Sequence, residues 1–158
     1  MSGTSGRARS SNGPTFDLFD NTPELIPLRT AARSEDWNAV RAFFSGLDSV
    51  DKVSVASGAV ANVWGTETYL EQAAVDRPAD PLPRTLLAER YIRLGWKARS
   101  AARAQHVTPE QFKEFHAWLR KAEALLISAA RAIIRAGSRI SMTSDSVAPC
   151  SLFVPRLQ

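Results

Sequence analysis

Residues 80–105 read DPLPRTLLAERYIRLGWKARSAARAQ, and the pattern within them decides the fold. Asp80 and Pro81 form a helix start, because proline has no amide proton to lose in the first turn. At 100° per residue, Leu87, Tyr91, Leu94, Ala98, Ala101 and Ala102 share one side, while Ile92 and Trp96 point well away from it. An outer helix of a bundle buries one stripe. A helix with two apolar sides belongs in the middle of a layered arrangement. Gly95, Ala98 and Ala102, at steps of three and four residues, let a neighbouring helix approach closely.

Working outward, Thr108-Pro109-Glu110-Gln111 is a capping box with proline at the first helical position. The helix predicted over 109–136 carries Phe112, Phe115, Leu119, Ala122, Leu126, Ala129 and Ile133 as its apolar stripe, and Gly137 is its expected stop. Upstream, Thr22-Pro23-Glu24 starts a short helix to about residue 33, with Leu25, Leu28 and Ala32 on one side. A turn at Ser34 or Glu35 leads to a second helix with Trp37, Val40, Phe44 and Leu47 as its stripe, ended by Gly46. Residues 49–64 are ambiguous, since KVSVAS alternates like a strand while Val53, Ala56, Val60 and Val63 fit a helix. Helix is the reading adopted, because a solitary strand would leave its backbone groups unpaired. Thr66 then caps TETYLEQAAVD, which stops at Arg77-Pro78.

The ends differ in character. Residues 1–22 are Ser, Gly and Arg rich and then acidic, and are read as a flexible tail before an array over 23–137. Residues 138–158 hold the only cysteine, Cys150, and no helical stripe, so they are expected to be irregular or the start of a missing continuation. Across 158 residues, 44% apolar and 23% charged content describes a globular chain that needs no disulfide or metal staple. With one cysteine, no span of ~20 apolar residues and no secretory leader, the expected setting is the cytoplasm.

Tyr91-Ile92-Arg93-Leu94-Gly95-Trp96-Lys97-Ala98 resembles the first helix of a tetratricopeptide repeat, which places an aromatic residue, then two others, before Leu-Gly. AARSEDWNAVRAFF is similar to the helix-turn-helix junction of tetratricopeptide-like repeats found in uncharacterised actinobacterial proteins. No 34-residue period runs through the chain. The resemblance, loosely spanning 24–136, implies an all-α array of five to six antiparallel helices that binds proteins or peptides through a concave surface. It implies no catalytic residues.

Charge is divided along the chain. Residues 15–80 hold 5 basic and 11 acidic residues, whereas 84–139 hold 12 basic and 4 acidic ones, within an overall net charge of +4. The residues expected to meet a partner are Arg93, Trp96, Lys97, Arg99 and Arg103 on the first long helix, and Lys113, Arg120, Arg131 and Arg135 on the second. An acidic peptide or protein surface is the primary expected partner, with nucleic-acid phosphates as the alternative. Trp96 fits either a stacking platform or, as the commoner role of a large aromatic, burial against the next hairpin. The same division allows head-to-tail association between an acidic end and a basic end. His106 and His116 are ten residues apart across a helix start, and neither a CxxC nor an HExxH spacing occurs. No enzymatic activity, metal or cofactor is therefore expected.

Overall fold

A computed structural model describes residues 22–100 and 106–143, with side chains to residue 137. A short 3-10 turn, Pro23–Leu25, leads into six α-helices: α1 (Ile26–Arg33), α2 (Trp37–Ser45), α3 (Val50–Asn62), α4 (Glu67–Asp76), α5 (Leu82–Arg99) and α6 (Pro109–Thr143). No strand occurs among the described residues, and the ambiguous stretch 49–64 is helical over Val50–Asn62, with Ser49 as its cap and Val63 and Trp64 in the following turn.

Local chemistry sets most of the boundaries. Asp36 caps α2 by accepting from the Ala39 N–H at 3.0 Å, and Ser49 caps α3 through Lys52 N–H at 3.3 Å. The capping box is reciprocal: Gln111 N–H donates to Thr108 Oγ1 at 3.2 Å and Thr108 N–H donates to Gln111 Oε1 at 2.9 Å. Two expected caps take other roles. Thr22 makes no side-chain cap, its carbonyl instead accepting from Leu25 N–H to close the 3-10 turn. The Thr66 hydroxyl turns back and donates to the Val63 carbonyl at 3.1 Å.

The core joins Leu28, Val40, Val60, Leu70 and Leu86, all fully buried, with Trp37 and Tyr69 in ring contact at 6.4 Å. Burying each of these aliphatic side chains contributes roughly 1.5–3 kcal/mol. Helix α5 is the central element and packs against α3, α4 and α6, while α1 packs against α2 and α3. Leu86, Leu87, Ala88 and Tyr91 are buried and Gly95 meets Phe115 and Trp118 of α6, whereas the expected second apolar side is only partly covered: Ile92 is half-buried and Trp96 stays 52% exposed with one contact to Phe115. Trp96 meets Phe115 at 5.0 Å and Tyr91 meets Trp118 at 5.3 Å, so α5 and α6 run antiparallel.

Three expectations about the long helices are corrected. Helix α5 ends at Arg99 and not near residue 105; Ser100 takes φ 66° and ψ 170°, and residues 101–105 lie outside the described set. Helix α6 continues through Gly137 to Thr143, moving the boundary expected at 137. A mid-helix glycine costs only ~1 kcal/mol, less than is needed to stop an established helix. The α6 seam is also turned by about one position. Ala122 and Ala129 are buried and Trp118 and Leu125 are half-buried, whereas Leu126 and Ile133 are 42% and 58% exposed. The cause is the docking of Phe115 and Trp118 onto Gly95, which rotates the helix. Cys150 and the rest of the segment from 144 onward lie outside the described residues, as does the tail expected over 1–22 apart from Thr22.

Candidate functional site

The basic half of the chain forms two separate grooves. The first, of about 540 Å³, lies between the α3–α4 turn and the second half of α5. Its rims are two exposed tryptophans, Trp64 at 68% and Trp96 at 52%. Trp64 sits in a four-residue turn where Gly65 takes φ 78°, a left-handed conformation that disfavours any side chain. The Thr66 hydroxyl bond to Val63 closes that turn and presents the indole outward. Lys97 Nζ lies 3.9 Å from the Trp64 ring centroid, and Arg99 Cζ lies 5.3 Å from that of Trp96. Both are cation–π contacts on half-wet surface.

Beneath Trp64, Arg90 is almost fully buried and fully engaged. Its Nε and Nη2 donate to Glu67 Oε1 at 2.9 and 2.7 Å, and Nη1 donates to the Ala61 carbonyl at 2.8 Å. Arg90 therefore clamps α5 to the α3–α4 junction and supports the Trp64 ring 5.1 Å away. Burial pushes the Glu67 carboxyl up, but its own backbone hydrogen bond and the Arg90 guanidinium hold it below the usual carboxylate range. Arg93, more exposed, pairs loosely with Glu89 at 3.7 Å. Arg93 and Lys97 are thus the groove's accessible cations.

The second basic groove, of about 590 Å³, lies between α6 and the α4–α5 turn. Arg84, Arg131 and Arg135 line it with Ile127 and small residues, and no carboxylate does. Arg84 is mostly buried and donates only to carbonyls, to Pro78 at 2.5 Å and Asp80 at 3.4 Å. An adjoining hollow of about 490 Å³ shares Arg84, Ala124 and Ser128 with it and adds Val75, Leu125 and Lys121. Glu71, the acid of that hollow, accepts a short hydrogen bond from the Tyr91 hydroxyl.

The structure thus divides the residues singled out in the sequence. Arg93, Trp96 and Lys97 line the first groove, and Arg99 touches it through Trp96. Arg131 and Arg135 line the second. Lys113 and Arg120 are exposed on α6 and line neither, and Arg103 falls outside the described residues. Trp96 is not buried against the next hairpin; it meets Phe115 and the Arg99 guanidinium and stays half exposed. Sequence reasoning missed Trp64, Arg84 and Arg90. The signal for Trp64 was its place beside Gly65 in a tight turn, where a large ring has little chain around it to cover both faces.

Histidines 106 and 116 are both exposed, and His116 stacks on Phe112. Among the described residues no group of three or more His, Cys, Asp or Glu is placed to hold a metal, and no helix is long and apolar enough to cross a membrane. Comparison with protein-family models, with curated proteins and with solved structures finds no match to this chain.

Proposed function

We propose that this protein is a non-catalytic interaction module, a tetratricopeptide-like bacterial helical array working in the cytoplasm. It takes an acidic peptide or the acidic surface of a partner in the groove between Trp64 and Trp96. One observation carries the reading: two largely exposed tryptophans face a groove whose accessible cations are Arg93 and Lys97. Exposed indoles of this size cost solubility unless a ligand covers them. Aromatic anchors flanked by cations suit a segment that alternates carboxylates with apolar side chains.

The supporting experiment titrates a synthetic peptide of alternating Glu and Phe, followed by tryptophan fluorescence. Binding is expected to weaken at least tenfold in Arg93→Glu/Lys97→Glu and to be lost in Trp64→Ala/Trp96→Ala, since each charge-assisted hydrogen bond is worth about 1.5–3 kcal/mol. Unchanged affinity in both double variants refutes the placement. The second reading, nucleic acid, rests on the same exposed rings, whose π-faces suit unpaired bases. A single-stranded oligonucleotide that binds more tightly than the peptide, with affinity falling steeply in salt, would favour it.

A further inference from the structure

A second docking site, independent of the Trp64–Trp96 groove, lies along α6. The two adjoining hollows there form one trough from Lys121 to about residue 136, a length of roughly 22 Å at 1.5 Å per residue. Its cations are Arg84, Lys121, Arg131 and Arg135, and its exposed apolar side chains include Val75 (74%) and Ile127 (47%). Arg131 and Arg135 are one helical turn apart and have no acidic partner among the described residues, so each repels the other until an anion joins them. That charge also rejects a symmetric pairing of two α6 helices, which would bring four arginines together. The trough calls for an occupant that is short, apolar and acidic.

The chain contains such a segment. Phe16-Asp17-Leu18-Phe19-Asp20 places three large apolar residues and two carboxylates in five positions, with no cation between Thr15 and Glu24. Extended, five residues span about 17 Å, which fits the trough. Asp20 is two residues before Thr22, within about 7 Å of it. Thr22 opens the turn leading into α1, which packs on α2 and α3, whereas the trough is lined by α4, α5, α6 and the α4–α5 turn and by no residue of Pro23–Leu25 or of α1. The segment therefore suits the trough of another molecule.

We propose that residues 16–20 of one copy dock in the α6 trough of a second copy, giving head-to-tail association. Asp17 and Asp20 meet Arg131, Arg135 and Arg84, and the phenylalanines cover Val75 and Ile127.

The test uses two full-length charge variants, Asp17→Lys/Asp20→Lys and Arg131→Glu/Arg135→Glu, the two arginines being exposed on α6. Sedimentation of the wild-type protein is expected to show mass rising with concentration and falling as salt is added. Each variant alone is expected to associate at least tenfold more weakly. Mixed, they are expected to form a 1:1 pair, because one keeps a working trough and the other a working segment. A wild-type monomer at every concentration overturns the proposal, as does a mixture that stays monomeric while circular dichroism shows both variants folded. Peptide titration of the Trp64–Trp96 groove in Arg131→Glu/Arg135→Glu keeps the two sites apart. Unchanged peptide affinity there, with self-association lost, supports a separate trough; peptide affinity lost together with self-association merges the two and overturns it.

Discussion

Replacing Gly95 by alanine sets two effects of similar size against each other. Alanine inside a helix is favoured over glycine by about 1 kcal/mol. At Gly95, however, the added Cβ would lie 3.3 Å from Phe115 Cδ2, 3.3 Å from Trp118 Cβ and 3.4 Å from the Phe115 carbonyl oxygen. Two of those atoms are close to or part of the α6 backbone, so relief requires the helix to move, at a typical overpacking cost of about 1–3 kcal/mol. The net expectation is a loss of up to about 2 kcal/mol. Gly58 in α3 is the matched comparison, since its Cβ would meet only Arg93 Nη2, at 3.1 Å. That is the far end of a flexible side chain, which swings aside, so Gly58→Ala keeps most of the helical gain. Urea unfolding of the two variants reads the difference directly: with m unchanged, the midpoints should move in opposite directions. Equal stabilisation by both substitutions would refute the close approach of α5 and α6 on which the rotated seam and the trough depend.

The Tyr69 hydroxyl is buried and without a hydrogen-bond partner among the described residues, so Tyr69→Phe is expected to stabilise by about 1 kcal/mol in the same assay. Burial, with the Asp36 and Glu35 carboxylates nearby, pushes that phenol up to about 12, and burial with the Glu71 hydrogen bond raises Tyr91 as well. Both groups favour the folded state while neutral, so their contribution is intact below about pH 10 and is lost as pH rises through the folded values. Tyrosinate absorbance should therefore appear together with loss of helicity above pH 10, and an ordinary titration in a still-folded protein would contradict it. Glu67→Leu strands the Arg90 guanidinium with only a carbonyl and is expected to cost about 2–4 kcal/mol, more than Arg90→Met, which leaves a partly exposed carboxylate able to rehydrate. Because the Glu67 pKa is lowered on folding, stability from the pair is present above the usual carboxylate range and lost as pH falls; Arg90→Met should flatten that acid slope. Gly65→Val strains a left-handed turn by about 1–2 kcal/mol and should shift the Trp64 emission.

The parts of this molecule legible in the sequence are those set by neighbours in the chain. The Thr108–Gln111 box needs only three residues of separation, and the two-sided pattern of α5 is a property of its own periodicity. The close packing at Gly95 was legible for the same reason, as a small residue at helical spacing. What escaped depends on segments far apart in sequence. Arg90 reaches Glu67 and Ala61, 23 and 29 residues away, so nothing local distinguishes it from the solvated arginines around it. The two grooves are likewise products of packing, which is why residues read as one basic region separate, Arg93, Trp96 and Lys97 lining one groove, Arg131 and Arg135 the other, and Lys113 and Arg120 neither. The α6 stripe was found but misaligned, because the contact that rotates the helix lies on its partner.

Helix α6 has 35 residues against 18 in α5, about 52 Å against 27 Å, so its last dozen residues run past the end of the helix that supports them. Early in that overhang Ala132, Arg135 and Ala136 still line the second groove with Pro78 and Ala79 of the α4–α5 turn, and α5 itself gives the amide protons beyond them no backing. Their exchange with solvent should proceed through fraying from the C-terminal end, at free energies well below that of global unfolding, while those facing Gly95 wait for the whole body to open. The same rod is therefore a firm wall at one end and a yielding one at the other, with Arg131 and Arg135 placed where stiffness begins to fall.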